Sequence, residues 1–448
     1  MRLSVGICTL AWHRLAAVLG ALVLSGCLVT PVPEDAQFAD LRAARSRGSG
    51  TPVAAPAVNR FRLAADTQVV GRLQYTRVRG GETLLDIARA YDLGYEDILA
   101  ANPGVDPWTP VPGERVLLPL AHVLPDAPRE GIVINLAARR LFHYPPAEGG
   151  APVEVITHPI GIGREGWSTP LGTTRIAEKR AAPAWTVPAS IRREHAARGE
   201  PLPAVVPPGP DNPLGSHALR LGWPSILIHG TNKPAGIGMR VSHGCIQLYP
   251  EDIAPLFEAV PEGTPVRVVD QPYLAGFGPD GLVLEAHVAA SRGGAGALAR
   301  DAIERTLRGR VAGAAPRVDW ELVRELVRER RGYPLPIGAG GADRAALLAA
   351  LPEAPPRPLP APPAPGEGEW FVDLGTFAHA RAAQRLVAML GYQGPPIPAR
   401  RLARDGTVQV LAGPWASREA AAAAARRIAR DLEAQGRVVR RPEAQRES

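Results

Sequence analysis

HGTNKPAGIGMRVSHGCIQL, residues 229–248, opens on the last residue of an apolar run (226–229), crosses a glycine-rich loop and re-enters apolar sequence at Ser242-His243-Gly244-Cys245. A strand, a loop and a return bring His229 and Cys245 together on loops held by a sheet. Attack of a cysteine on an amide needs a base to make thiolate, a group to orient that base, and donors for the oxyanion. His229 has the chemistry of the base. Gly244 lets the backbone approach closely, and the N–H groups of Gly244 and Cys245, with His243, are candidate oxyanion donors.

Cysteine usage strengthens this reading. The chain has 3 cysteines. Cys8 lies in an N-terminal stretch with Arg2 and Arg14 as its positive end and LAAVLGALVL (15–24) as an apolar segment too short to span a bilayer, so residues 1–26 read as a signal peptide. Cys27 ends Leu24-Ser25-Gly26-Cys27, the pattern at which bacterial lipoproteins are cut and acylated. A lipidated Cys27 cannot pair with Cys245, so Cys245 is an unpaired thiol in an exported, oxidising compartment, which favours a working nucleophile. Leu28 in place of Asp implies an outer-membrane address, if the organism has one.

The formal net charge is +7, carried almost entirely by arginine, since Lys179 and Lys233 are the only lysines. A moderately basic exported chain suits an anionic wall or membrane surface, and equally a solubility or genome bias. We find no zinc-type Cys/His spacing, no phosphate-cradling glycine loop and no aromatic-basic nucleic-acid motif, so no metal, no cofactor and no nucleic-acid partner is expected.

Composition shifts predict the joints. Residues 27–70 are rich in Pro, Ala and Arg and read as a flexible tether from the membrane; PEAPPRPLPAPPAP (352–365) centres a Pro-rich linker over 351–368. Between 75 and 119 a short strand (75–78), a helix capped by Thr83 with Leu84, Ile87, Ala88 and Tyr91 at helical spacing, a second helix (96–101) stopped at Asn102-Pro103 and a strand (116–118) form a βααβ unit. From about 130, β-type runs at 132–136, 140–144, 153–157, 173–176, 218–221 and 226–229 predict a mainly β catalytic domain to about 270. Residues 281–288 are expected to add a strand pair to it, and 297–307 and 320–330 to be helical, within an extension over 271–350 that carries no chemistry. Finally, Gly375-Thr376-Phe377 before a helix (380–390) recurs as Gly413-Pro414-Trp415 before another (417–435), each after a strand, which predicts an α+β, ferredoxin-like domain with four strands and two helices on one face over 369–441.

Three resemblances follow from these motifs. Residues 229–248, with GIGREGW (161–167), TPLG (169–172) and DNPLG (211–215), closely resemble the L,D-transpeptidases of the YkuD family over 130–270. The 75–119 unit, with GETL (81–84), Asn102-Pro103, Pro112-Gly113 and Leu118-Pro119, resembles the LysM module, which implies binding to peptidoglycan glycan. The 369–441 domain resembles the SPOR domain, which implies binding to glycan that lacks stem peptides; either small fold would also suit an appendage that binds neither.

The YkuD resemblance implies Cys245 as nucleophile and His229 as proton acceptor and donor, its ring oriented through the Gly230 carbonyl, with Ser242, His243 and Gly244 shaping the site. It further implies attack on a tetrapeptide stem, release of D-Ala, a thioester on Cys245 and transfer to an amine. A diaminopimelate acceptor gives a 3-3 cross-link; the lysine of an outer-membrane lipoprotein gives an anchored protein. Gln247 departs from the Arg or Asn of many relatives. A carboxypeptidase-like hydrolase, or a non-catalytic tether that only binds stem peptides, are the alternatives.

Overall fold

The computed structural model describes residues 59–146, 153–197, 199, 201–290, 295–308, 316–341, 343–358 and 368–440. The signal peptide, Cys27, most of the expected tether and the middle of the Pro-rich linker lie outside the described residues. Among those described, no helix is long and apolar enough to cross a membrane.

A nine-stranded sheet carries the central domain, in the order Arg60–Arg62, Glu154–Pro159, Arg140–Tyr144, Gly131–Asn135, Pro265–Val269, Gly172–Ala181, His217–Leu221, Leu227–His229, Ile246–Gln247. Neighbours are antiparallel except at two places, Gly131–Asn135 with Pro265–Val269 and Leu227–His229 with Ile246–Gln247, which are parallel. The first hairpin is buried on both faces. Ile132, Ile134 and Leu141 enter a core shared with Leu219, Ile228 and Ile246, while Val133, Phe142 and Tyr144 enter a second one with Val155. Period-two alternation therefore gives way to near-continuous apolar runs, as expected of a strand covered on both sides.

The expected tether ends earlier than residue 70. Arg60–Arg62 pairs antiparallel with Glu154–Pro159, and Val69–Gly71 pairs with Ala121–Val123. Phe61 packs on the Phe142 core. With the ladder itself, this apolar contact holds the edge strand, where an exposed ion pair such as Arg60 with Glu154 adds only roughly 0–1 kcal/mol.

The βααβ unit forms as read. Helix Leu84–Ala90 starts at Thr83, whose hydroxyl accepts from Asp86 N while the Asp86 carboxylate accepts from Thr83 N, and helix Tyr95–Ala101 follows, between the paired strands Gln74–Arg77 and Arg115–Leu118. Asn102 stops the second helix, its amide donating to the Ile98 and Leu117 carbonyls and its oxygen accepting from Leu117 N.

The stretch after 270 does not extend the central sheet. Tyr273–Gly278, Gly281–Ala286 and Leu335–Pro336 make a separate three-stranded sheet, and with helices Ala295–Arg308 and Trp320–Glu329 it builds a core that includes Leu73 and Ala101 of the βααβ region. The strand pair satisfies its own ladder and buries its apolar face on those helices.

The C-terminal domain has four antiparallel strands in the order Ala399–Arg404, Thr407–Trp415, Trp370–Phe377, Arg437–Arg440. Helices Ala380–Gly391 and Arg418–Leu432 share one core with Val372, Leu374, Val410 and Ala412, which places both on one face.

Candidate active site

The parallel pairing of Leu227–His229 with Ile246–Gln247 sets the geometry. Ile228 lies opposite Ile246, and both are fully buried in the core. Side chains alternate along a strand, so His229, opposite Gln247, turns to the other face, and Cys245 is the residue just before strand Ile246–Gln247. His229 is buried, and its Nδ1 lies 2.6 Å from the Gly230 carbonyl oxygen. A carbonyl only accepts, so Nδ1 carries the hydrogen and the neutral ring keeps its lone pair on Nε2. Burial lowers the His229 pKa to about 4, against the pull of hydrogen bonds with the Gly230 and Leu214 backbone.

Cys245 is a half-buried free thiol that donates to the Ser225 carbonyl at 3.6 Å. Ser225 holds a left-handed backbone (φ 62) in the turn before strand Leu227–His229, a conformation costly enough in a non-glycine residue to be retained at functional positions. Burial raises the thiol pKa above its ordinary value, and a Leu227 backbone hydrogen bond acts in the opposite sense. Both groups therefore rest neutral at pH 7.

The turn before Cys245 is pinned from several sides. Ser242 Oγ donates to the Cys245 carbonyl at 2.6 Å and accepts from Gly244 N at 3.2 Å. Gly244 has φ +99, a value an L side chain rarely adopts, and its carbonyl accepts from Thr169 Oγ1 at 2.9 Å. The 161–167 segment runs alongside. Gly161 exchanges backbone hydrogen bonds with Gln247, Ile162–Gly163 pairs parallel with Arg240–Ser242, and a Cβ on Gly163 would lie 1.9 Å from the Trp167 carbonyl oxygen.

His243 is held away from the role of base. Its ring meets Trp167 edge-on at 4.8 Å, and Nε2 lies 2.9 Å from Arg164 and 3.1 Å from Glu194. Arg164 in turn bonds both Glu194 oxygens at 2.6 Å, which with the His243 hydrogen bond holds the Glu194 carboxyl at a pKa of about 2. Glu194, on helix Ala189–Ala197, carries no motif signal and escapes sequence reading. Asn212 has a clearer role than its sequence suggests. Buried, it donates to the Pro183, Val206 and Pro207 carbonyls and accepts from Leu214 N at 2.9 Å, fixing the backbone that meets His229.

The residues expected at the site lie on strands Leu227–His229 and Arg240–Ser242 and in the turns that follow them, apart from Cys27, which is outside the described residues. Oriented imidazole, thiol and a tight glycine turn are suited to acyl transfer.

Comparison with known proteins agrees. Residues 129–268 match the L,D-transpeptidase catalytic domain model named YkuD, residues 76–119 a LysM domain and residues 366–441 a SPOR domain. Probable L,D-transpeptidase YcfS of Escherichia coli K12 is 46% identical over 229 residues, 50% of this chain and 70% of that protein. Probable L,D-transpeptidase YbiS of the same strain is 42% identical over 275 residues, 60% of this chain and 88% of that protein. Probable L,D-transpeptidase ErfK/SrfK of Salmonella typhimurium LT2 is 42% identical over 265 residues, 58% of this chain and 84% of that protein. Identity at this level, sustained over most of the length of such relatives, means that the chain belongs to the YkuD family of L,D-transpeptidases.

Proposed function

We propose that the enzyme acts on peptidoglycan tetrapeptide stems through a Cys245 thioester, with His229 as the proton carrier. The observation that supports this most directly is the parallel register that sets His229 opposite Gln247, two residues from Cys245, while the Gly230 carbonyl fixes the imidazole tautomer. His229 Nε2 takes the thiol proton as Sγ attacks the carbonyl carbon of the third residue, typically diaminopimelate. Collapse of the tetrahedral intermediate breaks the C–N bond, and D-Ala leaves with that proton. An incoming amine then attacks the thioester, gives its proton to Nε2 and displaces the thiol. Gly244 N–H already serves Ser242 Oγ, so the Cys245 and His243 amides are the oxyanion donors this scheme relies on.

In this reading the amine is a diaminopimelate side chain or the lysine of an outer-membrane lipoprotein, and hydrolysis is the competing fate. The LysM and SPOR domains hold the enzyme on peptidoglycan glycan, and acylated Cys27 tethers it in the periplasm at the outer membrane. Uptake of labelled fatty acid by the wild type, absent in Cys27→Ala, checks the anchor.

Incubation of the protein with defined tetrapeptide muropeptides, followed by mass analysis, tests the chemistry. Cross-linked dimer and free D-Ala are expected. Cys245→Ala abolishes both, and His229→Ala lowers the rate by about 10²–10⁴. Tripeptide with no dimer and no exchange of added D-amino acid makes the protein a hydrolase, and normal cross-linking by Cys245→Ala removes the scheme altogether.

A further inference from the structure

Outside the active site, one cluster of ligating side chains is buried at the boundary between the LysM domain and the catalytic domain. Asp92 follows the first LysM helix, His158 lies on strand Glu154–Pro159, and Asp252 lies on helix Pro250–Ala259. One ligand atom from each falls within 4.8 Å of the other two. His158 is 5% exposed. Its Nδ1, both Asp92 carboxylate oxygens and Asp252 Oδ2 have no hydrogen-bond partner outside the cluster.

Buried polar atoms without partners are costly and rare, and four of them converge here. Two distances bear on what they are built to hold. His158 Nδ1 is 3.4 Å from Asp252 Oδ1 and 3.8 Å from Asp92 Oδ2. These are too long for N–H···O hydrogen bonds, which run at about 2.7–3.2 Å. They lie close to the edge of a tetrahedron, roughly 3.3 Å, whose centre is bonded to nitrogen and oxygen at about 2.0 Å, the bond length of zinc.

The surroundings leave these atoms free for a cation. Arg140, which neighbours the cluster, bonds Thr157 Oγ1, the Asp92 backbone carbonyl and the Asp97 carboxylate. The Tyr249 hydroxyl donates to the Leu93 carbonyl. Asp92 also holds a left-handed backbone (φ 54), which turns the chain at the point where it meets the catalytic domain. As the site stands, burial and the neighbouring Asp252 push Asp92 up to about 8, and burial pushes Asp252 to about 7. A divalent ion balances two carboxylates, and neutral imidazole is its natural third ligand.

We propose that Asp92, His158 and Asp252 bind one divalent, zinc-type cation that clamps the LysM domain to the catalytic domain. The ion is structural, with one ligand from the LysM side and two from the catalytic side. Its binding stabilises the folded chain by an amount that grows with the logarithm of the free ion concentration above the dissociation constant.

The test uses the full chain purified in detergent, stripped with a chelator and titrated with zinc alone by calorimetry. One equivalent is expected, with a rise in thermal midpoint. Asp92→Asn and Asp252→Asn, which keep shape and remove charge, weaken binding at least tenfold, while Cys245→Ala leaves it unchanged. No stoichiometric binding by the wild type, as when the carboxyl groups merely share a proton, overturns the proposal, and so does unaltered binding in both Asn variants. If those variants fail to fold, X-ray absorption of the zinc-loaded wild type decides. A first shell of nitrogen and oxygen including imidazole supports the site, and sulfur in that shell overturns it.

Discussion

At the scale of single residues, the proposed chemistry makes the neutral resting states of His229 and Cys245 govern the pH behaviour. His229 is available as a base down to about pH 4, and the buried thiol ionises above its ordinary range. The kcat/KM profile should therefore show no inflection near the ordinary imidazole value of about 6.5, and alkylation of Cys245 by iodoacetamide should accelerate only in alkali. A midpoint near 6.5 in either measurement would mean a thiolate–imidazolium pair instead. Stability is linked to the same burial. His229 and His143, both lowered to about 4, and His122, also lowered, bind protons less readily when folded than when unfolded. Through these imidazoles acidification from about pH 6.5 towards 4 favours the unfolded chain, while Asp92 and Asp252, raised to about 8 and 7, oppose it over the same window, so His143→Gln should lose less thermal midpoint on acidification than the wild type. The motif made His229 and Cys245 legible because strand, loop and return lie within one short stretch. Glu194 and the Asp92, His158 and Asp252 cluster were not legible, because each acts through partners brought from distant parts of the chain, whereas Asn212 stood within the 211–215 motif and only its hydrogen bonds to the Pro183, Val206 and Pro207 carbonyls carried no signal.

Among the elements, those with a local cause were the most readable. The Thr83 cap, the Asn102 stop and the strand-helix repeat of the SPOR domain all rest on interactions within a few residues or on strong periodicity. The destination of the 273–286 hairpin was not, since a strand pair carries no record of which sheet or helix it packs on. The loop between His229 and Cys245 shows how an element is fixed from outside itself. Gly238 has φ +85, and a Cβ there would lie 2.4 Å from Tyr95 N and 2.5 Å from Gly94 Cα of the LysM domain. Tyr95 N donates to the Ile237 carbonyl at 2.9 Å. Gly238→Ala should cost about 1–3 kcal/mol through its backbone alone, push the loop off the LysM domain and lower kcat/KM. Gly236→Ala, whose Cβ meets the Val241 side chain at 3.2 Å and Gln247 Oε1 at 3.8 Å, should be milder. Equal losses of thermal midpoint in the two variants would sink this account of the loop.

The three domains read from sequence as beads on linkers pack together in the molecule. Arg139 meets Glu96 at 2.5 Å, Arg89 clasps Glu251 through two hydrogen bonds, and the Tyr249 hydroxyl reaches the Leu93 carbonyl, all across the boundary between the LysM and catalytic domains. The SPOR domain touches the LysM domain through Tyr392, which donates to Asp86 at 2.7 Å and meets the Trp108 ring at 5.9 Å, and through Arg381 on Thr109. Such contacts pair single residues from separate domains, and composition cannot encode them. Nor was it visible that the Pro-rich stretch begins as structure. Tyr75 N donates to the Pro352 carbonyl at 3.1 Å, Ala354 N to the Tyr75 carbonyl at 2.7 Å, and the Tyr91 hydroxyl to the Pro355 carbonyl at 2.8 Å, while Ala354 is 4% exposed in the LysM core. Proline without N–H groups still offers carbonyls to the outer strand of a small sheet. A chain ending at residue 358 keeps these contacts and one ending at 350 loses them. At about 0.5–1.5 kcal/mol for each net hydrogen bond, the shorter chain should be less stable by roughly 2–4 kcal/mol, read from denaturant unfolding of the two truncations side by side. Equal midpoints would return residues 351–358 to the role of plain spacer.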